Sequence, residues 1–180
     1  MDELICVDVF DREFGRATKE ECHQKGLLHR AFSIFIVNDG KMLIQRRAEG
    51  KYHSGGLWAN ACCSHPRAGE ALEDAVRRRL HEELGIQCHC EEIDAFVYHH
   101  KFNDLLFEYE YDHIFIGSYH GDISPDHQEI METKWIGFHE LAQSLKDQPD
   151  IYAVWFLTAA PRVLANRMQP YPVKGKSKTQ

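Results

Sequence analysis

Between Leu106 and Ile116 the chain reads LFEYEYDHIFI, an alternation that only a β-strand satisfies. Successive side chains of a strand point to opposite faces, so Phe107, Tyr109, Tyr111 and Phe115 share one face while Glu108, Glu110 and Asp112 share the other. Carboxylates therefore project side by side from one strand, and the rest of the fold has to accommodate them. The apolar run Ala31 to Val37, the turn signal Asn38-Asp39-Gly40 and Met42-Leu43-Ile44 together read as a β-hairpin. After a basic, glycine-containing loop (Lys51 to Gly56), the stretch Glu70 to Leu84 carries Leu72, Val76, Leu80 and Leu84 at four-residue spacing, which predicts an amphipathic helix. Gly85 stands where the helix must leave through the left-handed region. A short strand is expected over Thr133 to Ile136 and a helix over Phe138 to Leu145. A last helix is expected over Ala153 to Arg167, with Pro161 either kinking it or starting its second part. Strands on both sides of a helix imply a mixed α/β (α+β) domain with a largely mixed or antiparallel sheet flanked by helices.

With 180 residues, 43% of them hydrophobic, the chain suits a single domain, expected over residues 1–168, with a poorly ordered tail over 169–180. The net charge of −7 offers no basic excess, so no nucleic-acid partner is expected. An anionic ligand must then be held by a few placed cations or by a metal. No apolar run approaches the roughly 20 residues that span a bilayer, and the amino terminus lacks a basic-then-apolar signal pattern, so a cytoplasmic protein without membrane contact is expected. The six cysteines do not form a secreted-type framework, and reduced thiols follow. Twelve histidines, several near cysteine or glutamate, favour a transition-metal site. Cys88-His89-Cys90 by itself is a weak zinc signal, and a loop or strand edge explains it better.

Two stretches carry the chemistry. In Gly69 to Ile86, GEALEDAVRRRLHEELGI, the residues Arg78, Glu82 and Glu83 lie within about a turn and a half of one helix. Taken alone, this is either a metal-binding face or a solvated acidic one. Just upstream stands Trp58-Ala59-Asn60-Ala61-Cys62-Cys63-Ser64-His65-Pro66. The helix resembles the Nudix box, in which a glutamate-rich face binds divalent metal beside a diphosphate. The upstream stretch is similar to the signature of the type 1 isopentenyl-diphosphate isomerases, a branch of the Nudix superfamily. The likeness runs over roughly residues 4 to 165. Two positions depart from the hydrolase pattern: Ser64 replaces its first glycine, and Arg79 replaces a glutamate that hard cations would use.

The resemblance implies a Nudix fold and a set of site residues. A manganese (Mn2+) or zinc (Zn2+) site would fall on His23, His29, His65, Glu108 and Glu110, a donor set suited to borderline ions. Magnesium (Mg2+) would be held by the substrate's diphosphate with Glu83 and the backbone carbonyl of Cys63. Lys19, Arg47, Lys51 and Arg79 occupy the positions that bind the diphosphate, and the family precedent is a monomer acting on a small diphosphate ester. Moving an unactivated double bond needs two acid–base groups facing each other, for which Cys63 and Glu110 are the expected pair, with Tyr98 assisting Glu110. Trp155 is expected to stabilise a carbocation through its aromatic face, and a closing loop near the amino terminus to exclude water. Two other readings stay open at this level. A Nudix hydrolase would release phosphate or pyrophosphate, and a binding module would hold a diphosphate without proton exchange.

Overall fold

The computed structural model describes residues 3–51 and 53–168. The tail expected over 169–180 lies outside the described residues. Nine strands form one curled sheet among these residues. Strands β1 (Glu3–Val7) and β2 (Glu13–Thr18) pair as a hairpin and lead into α1 (Lys19–Lys25). Thr18 caps α1 reciprocally: its hydroxyl accepts from the Glu21 backbone N–H and the Glu21 carboxylate accepts from the Thr18 N–H. The amino-terminal segment, where a closing loop was expected, is thus built from regular elements.

The expected hairpin is β3 (His29–Asn38) and β4 (Lys41–Arg47), joined through Asp39 and Gly40, both at positive φ. β5 (Trp58–Asn60) and β6 (Cys62–Ser64) are short and pair antiparallel with β4 and β3 respectively. Helix α2 (Leu72–Leu84) starts two residues later than the sequence spacing suggests, because Glu70 turns back and its carboxylate accepts from the Arg67 backbone N–H. It ends at Gly85, whose φ of 68° only glycine adopts without strain.

The long pair β7 (Cys90–Asn103) and β8 (Leu106–Ser118) is antiparallel, and β8 also runs parallel to β3, which makes the sheet mixed. β9 (Ile130–Gly137) pairs with β4, and α3 (Phe138–Asp147) and α4 (Val154–Arg167) follow. Pro161 interrupts neither half of α4, which is one helix.

Alternation along β3 builds two cores. Phe32, Ile34 and Ile36 pack with Val76, Leu80 and Leu84 of α2, while Phe35 and Val37 pack with Trp155, Phe156 and Ala159 of α4. The face of β3 that meets α4 also carries His29 and Ser33 toward the strand's start. The sheet therefore changes from apolar to polar along a single face.

Candidate active site

Register brings the polar side chains together. On that face Glu110 of β8 lies opposite His29 of β3 and opposite Tyr98 of β7. Glu108 and Asp112 flank it two residues away on the same face, and all three carboxylate-bearing residues are buried. Helix α1 places His23 over β8, and His65 follows directly on β6. The ligand atoms of His23, His29 and His65 converge within 4.8 Å of one another, as do those of His29, Glu108 and Glu110. His65 Nε2 is 2.8 Å and His29 Nε2 3.6 Å from Glu110 Oε1.

Two backbone carbonyls set the ring tautomers. Because a carbonyl only accepts, His23 Nδ1 donates to Phe107 O at 3.0 Å and His29 Nδ1 donates to Leu27 O at 2.8 Å. The lone pair of each neutral ring is then on Nε2, as a metal ligand requires. His29 Nε2 is buried without a hydrogen-bond partner, an orphaned donor atom aimed into the cluster. Burial pushes His23 down to about 4 and His65 down to about 3, so these rings are neutral at physiological pH. Burial and the neighbouring Glu110 charge push Glu108 up. Burial also works against ionisation of Glu110, but the His29 and His65 imidazoles outweigh it and hold that carboxyl low. A cation placed here would meet the neutral His23 and His65 rings and relieve the conflict between two adjacent carboxylates, so the donor set fits a divalent ion.

Next to this cluster, Cys63, Tyr98 and Trp155 line the same small cavity as Glu108 and Glu110. Burial pushes the Cys63 thiol up to about 12 although Arg47, whose Nη1 is 3.8 Å from Sγ, favours the thiolate. The Tyr98 hydroxyl donates to Glu110 Oε2 at 2.8 Å, and burial and the Glu110 charge hold the phenol protonated. Trp155 is fixed by its indole N–H, which donates to Asn60 Oδ1 at 3.1 Å. Asn60 in turn donates to the carbonyls of Ile34 and Cys62, which explains an asparagine in a buried strand. The Arg47 guanidinium lies 5.0 Å from the Trp155 ring centre, so the indole face already holds a cation.

A second cavity adjoins the first at Cys63 and His65 and is lined by Lys19, Arg47, Lys51 and Arg79 together with Glu83. Arg79 pairs with Glu83 and, at 3.0 Å, with Glu82. Burial pushes the Glu83 carboxyl up, with Arg79 opposing it. Arg78 faces the other way and forks onto Glu70 at 2.7 and 2.8 Å, anchoring the start of the helix. Of the residues singled out in the sequence, Lys19, Arg47, Lys51, Cys63, His65, Arg79, Glu83, Tyr98, Glu108, Glu110 and Trp155 line the two contiguous cavities and His23 and His29 converge beside them, whereas Arg78 and Glu82 line neither. Cys88 and Cys90 have no third ligand among the described residues; their sulfurs are 3.9 Å apart, at the far end of β7.

Sequence reasoning missed two neighbours. His53 sits in the first cavity, 2.6 Å from Glu108, and Glu129 lines the second, paired with Lys51. Both come from loops, where no periodicity signals the direction of a side chain. The only available hint for His53 was its place two residues after Lys51 in the basic loop.

The fold and the helix α2 define the class. The NUDIX domain family model matches residues 27–156. The architecture is similar to a crystal structure from Deinococcus radiodurans, at 18% identity and a TM-score of 0.72 over 89% of this chain and 98% of that one. It is also similar to a MutT protein from Methanosarcina mazei, at 18% identity and a TM-score of 0.63 over 79% and 96%. Among curated proteins, the chain is 49% identical to the isopentenyl-diphosphate Delta-isomerase 2 of Photorhabdus laumondii over 87% of this chain and 89% of that one. It is 48% identical to the isopentenyl-diphosphate Delta-isomerase of Burkholderia multivorans over 86% and 89%. The chain belongs to the isopentenyl-diphosphate Delta-isomerase family of Nudix proteins.

Proposed function

We propose that this chain interconverts isopentenyl diphosphate and dimethylallyl diphosphate by adding a proton to one carbon and removing one from another, as the names of its relatives suggest. The observation that carries the reading is the joining of the two cavities at Cys63: Tyr98, Glu108 and Glu110 line one, Lys51 and Arg79 the other, and Lys19 and Arg47 stand at the junction lining both. The cationic cavity takes the diphosphate, with Arg47 and Arg79 offering planar forks and Lys19 and Lys51 point charges. The smaller cavity then receives the five-carbon hydrocarbon between Cys63 and Glu110.

In the resting protein the thiol carries its proton and Glu110 is ionised. The pair is therefore a ready donor and a ready acceptor, and turnover in the opposite direction starts from the complementary state. Tyr98 holds Glu110 Oε2 and passes a proton to or from it. Positive charge developing at the branched carbon is stabilised by the Trp155 face, and a desolvated cation–π contact contributes about 2 kcal/mol, over tenfold in rate.

His23, His29, His65, Glu108 and Glu110 would hold manganese or zinc, and Glu83 with the Cys63 carbonyl would hold magnesium alongside the diphosphate. When bound, the first ion supplies the charge that keeps both glutamates ionised and oriented, and the second neutralises the diphosphate. Arg79 separates this reading from hydrolysis, since it places a cation where the hydrolase pattern has a metal-binding glutamate. The two are told apart by incubating isopentenyl diphosphate with the metal-loaded protein and following the products by phosphorus NMR. Dimethylallyl diphosphate without free phosphate or pyrophosphate supports isomerisation; release of either anion supports hydrolysis.

A further inference from the structure

His53 lies in the loop between β4 and β5, two residues after Lys51, yet its side chain is only 7% exposed and reaches Glu108 at the edge of the metal-ligating cluster. Nε2 is 2.6 Å from Glu108 Oε1, and Nδ1 is 3.2 Å from the Ser54 hydroxyl. With Glu108 ionised, as a metal-ligating carboxylate is, its oxygen accepts, so Nε2 carries the hydrogen and the Ser54 hydroxyl donates to Nδ1. One directed chain thus runs from Ser54 through His53 to Glu108. The ring also stacks on Phe102 at 4.8 Å and meets the Trp155 indole edge-on at 5.8 Å.

The loop is built to hold the ring there. Ser54 has a φ of 52°, a left-handed conformation that non-glycine residues rarely take, and Gly56 follows at 74°. A Cβ at Gly55 would meet the Glu49 carbonyl oxygen at 2.5 Å, so the chain folds back on itself too closely for any other residue. These constraints fix the backbone on the carboxyl side of His53, and the aromatic contacts fix its ring.

We propose that His53 is a positioning residue that holds Glu108 in its metal-binding orientation through the Nε2–H···Oε1 hydrogen bond. The inference rests on the metal-centre reading of His23, His29, His65, Glu108 and Glu110. It differs from direct ligation because His53, unlike His65, belongs to neither group of converging ligand atoms. Outer partners of this kind, which donate to a ligating carboxylate, typically change metal affinity by 10–100-fold.

The test is zinc affinity of the full chain, measured by competition with a chromophoric chelator for wild type, His53→Ala, His53→Gln and His65→Ala. Melting of each metal-free variant monitors the fold. His53→Ala should weaken binding about 10–100-fold, and His53→Gln, whose amide N–H reaches the same oxygen, should recover most of the loss. Unchanged affinity in His53→Ala, with a clear loss in His65→Ala, overturns this proposal and leaves the metal centre standing. Unchanged affinity in His65→Ala overturns the metal-centre reading itself, and this proposal with it. A glutamine variant as weak as the alanine one, with its metal-free melting intact, overturns positioning in favour of direct ligation.

Discussion

Tyr98 stands opposite Glu110 across the β7–β8 ladder and donates its phenolic hydrogen to Oε2, while Oε1 faces the imidazoles of His29 and His65. One carboxylate thus meets two surroundings, with Oε1 toward two imidazoles and Oε2 toward the phenol. The Tyr98→Phe substitution keeps the ring and deletes only the donor. The expected result is a kcat lower by about 10²-fold, the lower range for loss of an acid–base contribution, with little change in KM. Steady-state kinetics beside a melting curve checks it.

Cys63 is held as a thiol by burial, at about 12. Only the thiolate alkylates, so labelling of Cys63 by iodoacetamide should accelerate about tenfold per pH unit from neutral to about pH 9 without levelling off. Quantifying the Cys63 peptide by mass spectrometry separates it from the other five cysteines. A plateau near the ordinary thiol value of about 8.5 would contradict the burial argument.

The buried imidazoles link the site to acid stability. His23 and His65, at about 4 and about 3, lie below the unfolded histidine value. The folded state therefore binds fewer protons, and the stability these rings contribute above about pH 6.5 is lost as the pH falls through that value toward 3–4. Glu108 acts oppositely: its raised pKa makes the metal-free fold lose stability as the pH rises above the unfolded carboxyl value. A comparison isolates the imidazole effect. In urea titrations of metal-free protein, wild type should lose more stability between pH 6.5 and 4 than His65→Asn does; parallel curves would rule it out.

Arg79 lines the cationic cavity proposed to take the diphosphate and pairs with the buried Glu83. A hydrogen bond to a charged group contributes about 1.5–3 kcal/mol, so Arg79→Ala should raise KM for the diphosphate substrate about 10–150-fold, with a smaller effect on kcat. Arg79→Lys should recover the charge but not the fork, and fall between. Equal KM values in all three proteins would remove Arg79 from the binding site.

How legible these features were depended on periodicity. The β3–β4 hairpin, α2 and β8 announce themselves through apolar runs, four-residue spacing and strict alternation, and the structure contains all three. β7 was missed because its sequence CEEIDAFVYHHKFN mixes charged and apolar residues on both faces, and β5 and β6 because three residues carry no period. β2 and α1 hide because each buries only one or two side chains, and β1 because its four consecutive buried residues show no alternation. The candidate site residues were picked out by an ordered motif, and the strand alternation explained why Glu108 and Glu110 face together. No local signal marks His53 or Glu129, whose loops are aimed by tertiary backbone contacts, such as the Ala48 N–H donating to the Glu129 carbonyl at 2.9 Å.

The central claim is that Cys63 and Glu110 exchange protons with opposite sides of one bound hydrocarbon. Its most direct test is proton NMR of isopentenyl diphosphate in deuterated buffer with magnesium, using metal-loaded wild type and Cys63→Ala. The account predicts deuterium-labelled dimethylallyl diphosphate from wild type and a loss of turnover of at least about 10²-fold in the variant. Undiminished turnover by Cys63→Ala, or unchanged substrate with folded, metal-loaded wild type, would contradict it.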